Sequence, residues 1–406
     1  MAVSSKTSDK MWIRSSSHCE KAKPTKQSGD RFAVLAMTVF VLAVAPAIAE
    51  GGPDEFGGHT KLRLVGQSFP DDSLFYDLVG SSSLDIAGEL RLNFSAKRAG
   101  WSFHTDYQLI ALHSEFLPAG LPGDDQRLFD LTTTLNDGDE NAILHRLDRF
   151  WIGYTGDKAV VRFGRQALSW GNGLFFAPMD LVNPFDPTTI DTEYKTGDDM
   201  LYAQYLRDNS DDLQGAIVFR RDSISGDVDS DQATVALKYH GLAGEYEFDV
   251  LIAENYGDTV VGLGGTRSVG GAIWRGDLVV TDAADDTYVE IVTNLSYSWT
   301  WGSRNVSGAV EYYYDGTDDH FVAGSLTIEM SPLWTVIPTI VSNVEDPSAL
   351  LQIVTQYSLS DNMTFLGSLN IPLGANGTQF GGAESGIPNR YLSYDAGVFA
   401  QLAWYF

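Results

Sequence analysis

The sequence predicts an all-β fold, a transmembrane antiparallel β-barrel of about 18 strands with short turns at one end and long loops at the other. Three observations predict it. Apolar and polar residues alternate along many segments, short and long connections alternate between those segments, and the chain closes with an amphipathic strand that ends at Phe406. A strand that faces lipid needs one wholly apolar face, and this alternation supplies it.

Residues 1–49 are predicted to be a cleaved signal peptide with a long polar leader. Basic residues in the leader precede an apolar run from Phe32 to Ala45, and Ala47-Ile48-Ala49 follows. A basic region, a short apolar core and an A-x-A site are together typical of a secretory signal. The leader is unusually long, and a start of translation at Met11 would explain its length.

Charge and composition restrict what the mature region, residues 50–406, can bind. The first 49 residues hold seven of the 27 basic and three of the 54 acidic residues, which leaves 20 basic and 51 acidic residues and a net charge of −31. This excludes nucleic acid as a partner, because phosphate binding needs a basic face. The single cysteine, Cys19, lies in the leader, which fits export through an oxidising compartment. No run of eighteen apolar residues follows residue 50, so a transmembrane helix is not expected.

The alternation is clearest in residues 84–97. The apolar face of this segment consists of Leu84, Ile86, Gly88, Leu90, Leu92, Phe94 and Ala96. The other face carries Asp85, Glu89, Arg91, Asn93 and Lys97. Strands of soluble sandwiches are usually about 5–6 residues long, so an alternation of this length favours a membrane barrel. The pattern recurs in residues 101–109, 245–252, 272–280, 289–299, 322–330 and 363–371.

The connections between these segments alternate in length. Short ones are predicted at Ala99-Gly100, 155–157, 208–212, 241–244, Thr266-Arg267, Gly302-Ser303, Ser331-Pro332 and Asp361-Asn362. Longer ones are predicted at 68–82, 113–145, 169–198, 221–231, 254–258, 281–286, 315–320, 343–348 and 374–390. Outer-membrane barrels have short periplasmic turns, longer outer loops and an even number of strands. Eight turns and nine loops predict 18 strands, and the uncertainty of the boundaries leaves 16 strands as the alternative.

The last segment predicts how the barrel is assembled. Val398, Leu402, Trp404 and Phe406 lie on one face of the alternating residues 397–406. This resembles the C-terminal signature by which the barrel-assembly machinery of the outer membrane recognises its substrates. The resemblance implies that these four residues are an assembly signal and that the machinery is a partner. Together with the signal peptide, it places the protein in the cell outer membrane of a Gram-negative bacterium, in contact with membrane lipid and lipopolysaccharide.

A barrel of this size is wide enough to enclose water unless loops or a plug fill it. The inward face is predicted to be polar and of mixed charge. The residues predicted to face the lumen are Lys61, Arg63, Glu89, Arg91, Arg149, Arg162, Glu245, Glu247, Asp249, Arg275 and Glu311. Opposed rows of charge would set up a transverse field in a pore. The alternative is that these residues form ion pairs that only stabilise the lumen, each of them contributing little.

The third long connection, residues 169–199, is the most distinctive segment. It contains many large apolar side chains and is stiffened by Pro178, Pro184 and Pro187. Loops of this length are uncommon and often functional, and so many apolar residues indicate packing against the nearest surface, the barrel interior. The residues predicted to form a pore constriction are Arg165, Asp180, Asp186, Asp191, Glu193 and Lys195. A lid over the barrel mouth is an equal alternative.

This part of the chain also carries a family resemblance. The run from Gly164-Arg165-Gln166 through Trp170-Gly171-Asn172-Gly173 to Asn183-Pro184-Phe185-Asp186-Pro187 is similar to that of porin-like bacterial outer-membrane β-barrel proteins of uncharacterised function. In general bacterial porins the third outer loop folds into the lumen and narrows it. The resemblance implies a channel for the passive diffusion of small polar solutes.

Other functions are weighed against the channel. An enzyme is not expected, because none of the six histidines of the mature region lies in a nucleophile motif. The acidic runs 137–140 and 227–231 do not complete a calcium loop, so neither a metal nor a cofactor is expected. The alternative function is a plugged barrel that acts as the outer-membrane component or docking scaffold of an export or lipid-trafficking system. Uptake of hydrophobic solutes is disfavoured because the inward faces are predicted to be charged. The solute, the ion selectivity and the oligomeric state, including a homo-oligomer, are left open.

Overall fold

A computed structural model describes residues 55–116, 121 and 123–406; the predicted signal peptide lies outside the described residues. In chain order the strands are β1 (Glu55–Ser68), β2 (Ser82–Arg98), β3 (Trp101–His113), β4 (Thr132–Asp137), β5 (Asn141–Thr155), β6 (Ala159–Gln166), β7 (Asp198–Leu206), β8 (Asp212–Val218), β9 (Thr234–Ala243), β10 (Tyr246–Asn255), β11 (Asp258–Val269), β12 (Ala272–Asp282), β13 (Thr287–Trp301), β14 (Arg304–Tyr314), β15 (His320–Ser331), β16 (Trp334–Asn343), β17 (Ser348–Ser360), β18 (Met363–Leu373), β19 (Ala383–Glu384), β20 (Tyr391–Leu392) and β21 (Ala396–Tyr405). A short helix, α1 (Leu74–Val79), and a 3₁₀ turn (Ser230–Gln232) lie in the loops.

Eighteen of these strands form a closed antiparallel barrel in which each strand pairs with its neighbours along the chain. Strand β4 lies in the second long loop and pairs only with β5, while β19 and β20 form a small hairpin in the last long loop. The barrel closes where β1 pairs with β21, from His59 opposite Tyr405 to Ser68 opposite Ala396. The predicted fold class is therefore confirmed, with 18 strands rather than 16.

The connections follow the predicted alternation of short and long, but several boundaries differ; the turn predicted at 241–244, for example, lies at residues 244 and 245. The turn predicted at Thr266-Arg267 is wrong, because both residues lie within β11 and the chain turns at Gly270-Gly271 instead. These two glycines have φ values of 57° and 88°, which glycine adopts without the steric cost that a side chain brings. The loop predicted at 254–258 is also shorter, since β10 continues to Asn255 and only residues 256 and 257 connect it to β11.

The alternation places apolar side chains on the outside of the barrel. In β21, Val398 is 54%, Leu402 40% and Trp404 45% exposed, whereas Gln401 and Ala403 between them are buried inside. The same contrast runs along β1, where Leu62 is exposed and Lys61 is buried. An apolar belt around a closed barrel leaves no unpaired strand edge and suits a lipid surround, which supports location in the outer membrane. Among the described helices, none is long and apolar enough to cross a membrane.

Candidate functional site

The third long loop, residues 167–197, lies inside the barrel. Its side chains and backbone bond to strands on opposite sides of the lumen. Trp170 Nε1 donates to Gln214 Oε1 of β8 at 2.8 Å, the Asn172 amide donates to Asp277 of β12 at 2.7 Å, and Tyr405 of β21 donates to Glu193 at 2.8 Å. The loop therefore crosses the lumen from wall to wall, and its two halves contact walls of different chemistry.

The first half, residues 168–182, packs on an apolar wall; we call it the anchored arm. Met179 is fully buried against Leu251, Val260 and Val279, which point inward from β10, β11 and β12. A neighbouring cluster forms where the Phe176 ring stacks on Tyr313 of β14, with ring centroids 4.5 Å apart. These contacts give the lumen a hydrophobic core of its own on one side.

The apolar wall differs from the expectation that the inward faces are charged throughout. On β10, Leu251 and Ala253 are buried inside while Val250 and Ile252 are exposed outside. The sequence does carry a signal for this wall. A strand segment with apolar side chains on both faces indicates that both faces are covered, here by lipid outside and by the loop inside. The argument against hydrophobic solutes from wholly charged inward faces does not apply to this half of the barrel.

Acidic side chains of the wall hold the backbone of the anchored arm. Glu311 of β14 is 1% exposed and accepts hydrogen bonds from three successive amides, Leu174 at 2.6 Å, Phe175 at 2.9 Å and Phe176 at 2.8 Å. Successive amides that converge on one anion form a nest, and charge-assisted hydrogen bonds of this kind are strong. The nest requires a tight backbone: a Cβ on Gly173 would lie 1.7 Å from the Phe176 carbonyl oxygen.

The second half of the loop, residues 186–195, lies on a charged wall; we call it the seam arm. Asp191 pairs with Lys61 at 2.8 Å and with Arg63 at 3.1 Å, both on β1. Glu193 pairs with the same Lys61 ammonium at 2.7 Å. Asp186, by contrast, is exposed and accepts hydrogen bonds from the backbone amide and hydroxyl of Thr188 within the arm. The seam arm is therefore fastened by charge, whereas the anchored arm is fastened mainly by apolar packing.

An internal ion pair joins the two arms. Lys195 Nζ lies 2.5 Å from Asp180 and also donates to the Leu168 carbonyl and the Ser169 hydroxyl. Burial raises the pKa of Asp180 despite the nearby Lys195 charge, and burial lowers the pKa of Lys195 despite Asp180. The pair is largely withdrawn from water, with side chains 6% and 9% exposed, and it fixes the loop; its predicted role in a constriction stays a prediction.

Arg165 is fully buried at the base of the loop. Its guanidinium pairs with Asp124 at 2.8 Å and Asp199 at 2.9 Å, and it donates to the Phe129 carbonyl at 2.6 Å. Burial alone would raise the pKa of Asp124, but the charges of Arg165 and Arg127 lower it. Arg165, predicted to lie at a constriction, thus ties the second long loop to β7 at the end of β6.

The other predicted lumen residues fall into two groups. Several converge near the seam arm: Arg91 is fully buried between Asp106 at 2.7 Å and Asp148 at 2.6 Å, with its guanidinium over the Tyr194 ring. Joining this group are Arg149, which bonds to Asp148, and Glu89, which bonds to His59 and Arg63. The remaining residues lie apart from the seam arm. Arg162 lies over the Trp151 ring, Asp249 pairs with Lys238 and His240, and Arg275 bonds to Ser296. Glu247 lies on β10, and Glu245 lies in the β9–β10 turn with its side chain 82% exposed. Their roles in a passage stay predictions.

A cavity of about 460 Å³ lies between the seam arm and the charged wall. Its polar lining comes from the wall residues Arg63, Gln108 and Arg146 and from Thr188 and Asp191 of the arm. Arg146 bonds to Gln108 through Nε at 2.6 Å, and its side chain is 19% exposed. The cavity lining therefore carries both signs of charge, together with the apolar side chains of Ile110, Ile190 and Phe399.

No protein-family model matches the sequence, and no curated protein sequence matches it. Solved structures with a similar fold include OccAB4 of Acinetobacter baumannii, with a TM-score of 0.54 and 8% identity over 88% of this chain and 99% of that chain. Wzi of Escherichia coli, an outer-membrane protein involved in group 1 capsule assembly and described as a carbohydrate-binding β-barrel, gives 0.52 and 10% over 94% and 89%. OccK2 (OpdF) of Pseudomonas aeruginosa in complex with glucuronate gives 0.53 and 7% over 87% and 98%. The resemblance to porin-like outer-membrane barrels is confirmed at the level of the fold.

Proposed function

We propose that this protein is a porin-like channel of the outer membrane that lets small polar solutes diffuse passively and performs no chemical step. The observation that carries the proposal is the cavity beside the seam arm. It lies inside a closed barrel, and its lining combines charged groups of both signs with apolar side chains. The fold shared with outer-membrane porins supports the same function. In this proposal residues 1–49 direct export and are removed.

The geometry suggests how such a channel would select its solutes. A solute beside the seam arm exchanges part of its hydration for the donors of Arg63, Arg146 and Thr188 and for the carboxylate of Asp191. The anchored arm packs on the opposite wall, so in this proposal the passage runs beside the seam arm. Glucuronate, which is bound in the OccK2 structure, is a suitable probe because Arg146 can meet a carboxylate and Thr188 a sugar hydroxyl.

Conductance in planar bilayers tests the proposal. The intact protein is expected to give discrete conductance steps, and a variant that lacks residues 171–190 is expected to give severalfold larger steps, because the deletion removes most of the loop that crosses the lumen. If neither form conducts, the channel proposal fails. If only the deletion variant conducts, the barrel is plugged and the docking-scaffold function takes its place.

Protonation of Asp191 is expected to loosen the seam arm below about pH 4. Burial would raise the pKa of Asp191, but hydrogen bonding to Lys61 and the charges of Lys61 and Arg63 lower it overall. A carboxyl whose pKa is lowered by folding contributes stability that is complete above its unfolded pKa and is lost as the pH falls through the folded pKa. The part of the conductance change that comes from Asp191 should therefore be a rise below about pH 4. An Asp191→Asn variant, which cannot titrate at this position, should lack that part of the rise; an equal rise in both proteins would contradict the assignment.

A further inference from the structure

The seam arm contacts the two strands that close the barrel. Strands β1 and β21 come from opposite ends of the described chain, and their pairing converts an open sheet into a barrel. Until they pair, both strands present unpaired backbone groups, which are costly in a membrane. The β1–β21 pair is therefore the natural place for a device that holds the barrel shut.

One carboxylate of the seam arm reaches both strands. Glu193 pairs with Lys61 Nζ of β1 at 2.7 Å and accepts a hydrogen bond from the Tyr405 hydroxyl of β21 at 2.8 Å. Lys61 and Tyr405 both point into the lumen, two register positions apart along the seam. A binding position made of one group from each strand is complete only when the strands are paired.

A second set of bonds crosses the same seam. Asp191 pairs with Lys61 and Arg63 of β1, and Arg63 Nε donates to Gln401 Oε1 of β21 at 2.6 Å. The chain of polar contacts thus runs from Gln401 through Arg63, Asp191, Lys61 and Glu193 to Tyr405. It changes strand at each end, so separation of β1 from β21 would break it in two places.

Burial increases the contribution of these ion pairs to stability. The Lys61 side chain is 1% exposed, and Asp191 and Glu193 are its acidic partners, with side chains 16% and 35% exposed. A buried ammonium that loses its partners is strongly destabilising, whereas an exposed pair contributes little. The opposite end of the loop is fixed on the far wall by Met179 and Phe176. The loop therefore connects the far wall of the barrel to the β1–β21 pair, which we call the seam.

We propose that the seam arm is a clamp on barrel closure: it docks on the closed β1–β21 pair through Asp191 and Glu193 and in return holds that pair closed. The coupling works in both directions, because a segment that binds only the closed state stabilises that state. The inference is independent of whether solutes pass through the barrel.

Hydrogen exchange of the folded protein in lipid vesicles, followed by mass spectrometry, tests the clamp. In an Asp191→Asn, Glu193→Gln variant, amides of β1 and β21 are expected to exchange about tenfold faster, while those of β13 and β14 keep their rates. The matched control is Asp186→Asn, which makes the same chemical change in the same arm at an exposed carboxylate that bonds to Thr188. Unchanged rates in the seam strands, or equal acceleration in all strands, would overturn the proposal.

A disulfide across the seam gives a second test, which also covers a variant that fails to fold. No cysteine follows Cys19, so new pairs are free of competition. Leu62 and Leu402 face outward and are directly paired across β1 and β21; Leu295 and Val310 are paired in the same way across β13 and β14. Leu62→Cys with Leu402→Cys is expected to cancel the effect of the clamp variant on exchange or on folding, and Leu295→Cys with Val310→Cys is expected not to. Equal rescue by both disulfides, or rescue by neither, would count against the clamp.

Discussion

Replacing Glu311 by alanine is expected to raise the single-channel conductance severalfold. The substitution leaves the amides of Leu174, Phe175 and Phe176 without their acceptor, and each buried amide that loses its partner costs about 1–3 kcal/mol. The tip of the anchored arm, residues 174–176, would then leave the wall at β14, and the passage would widen. Single-channel recording in planar bilayers measures the change.

The matched control for this prediction is Glu329→Ala on β15. Glu329 is exposed and bonds to Asn305 of the neighbouring strand, so its loss leaves the loop in place. Limited proteolysis provides a second readout, since a released tip should be cut faster between residues 171 and 182. A Glu311→Ala channel with the conductance and protease resistance of the parent would show that the apolar contacts alone hold the arm.

Replacing Arg165 by methionine is expected to destabilise the folded protein by about 3–5 kcal/mol. The change leaves Asp124 and Asp199 buried without their cation, and removing one partner of a buried ion pair is far more costly than removing the pair. The free energy of unfolding, measured by urea titration of the protein in vesicles, should fall by that amount. The second long loop, which this arginine ties to β7, should become accessible to protease.

An exposed ion pair of the same barrel supplies the comparison. Lys158 and Asp208 lie 2.6 Å apart near the short turns, with side chains 48% and 86% exposed. Because water and salt screen such a pair, Lys158→Met should change the free energy of unfolding by about 0–1 kcal/mol. Similar effects of the two substitutions would refute the view that burial makes Arg165 an anchor.

The barrel could be predicted from the sequence because period-two alternation is a local property. The apolar face of β2 and the closing strand β21 follow from it directly, and short turns between strands set the count. The prediction failed at Thr266-Arg267, where a turn was placed inside β11. Polar residues near the end of an apolar run resemble a turn, and only the following Gly270-Gly271 shows where the backbone can reverse.

The site was harder to predict because its parts meet across the lumen. Lys61 and Arg63 could be assigned to an inward face by their spacing, but their partner Asp191 lies more than a hundred residues away. Arg146 was missed for a local reason. The pairing of β3 with β5 shifts register between Asp106 and Tyr107, and such a bulge sets two residues of one strand opposite one of the other. Arg146 and Arg149, which strict alternation would place on opposite faces, consequently both turn inward.

The apolar wall beneath the anchored arm makes the width of the barrel and the aperture of its passage independent of each other. The number of strands sets the width of the barrel, but that width does not set the aperture when a loop packs against part of the inner wall in two hydrophobic clusters. Aperture can then change through a few side chains of Met179 or Phe176 size, with every hydrogen bond between strands unchanged. Related barrels could therefore change which solutes they admit through substitutions inside the lumen, while the lipid-facing surface stays the same.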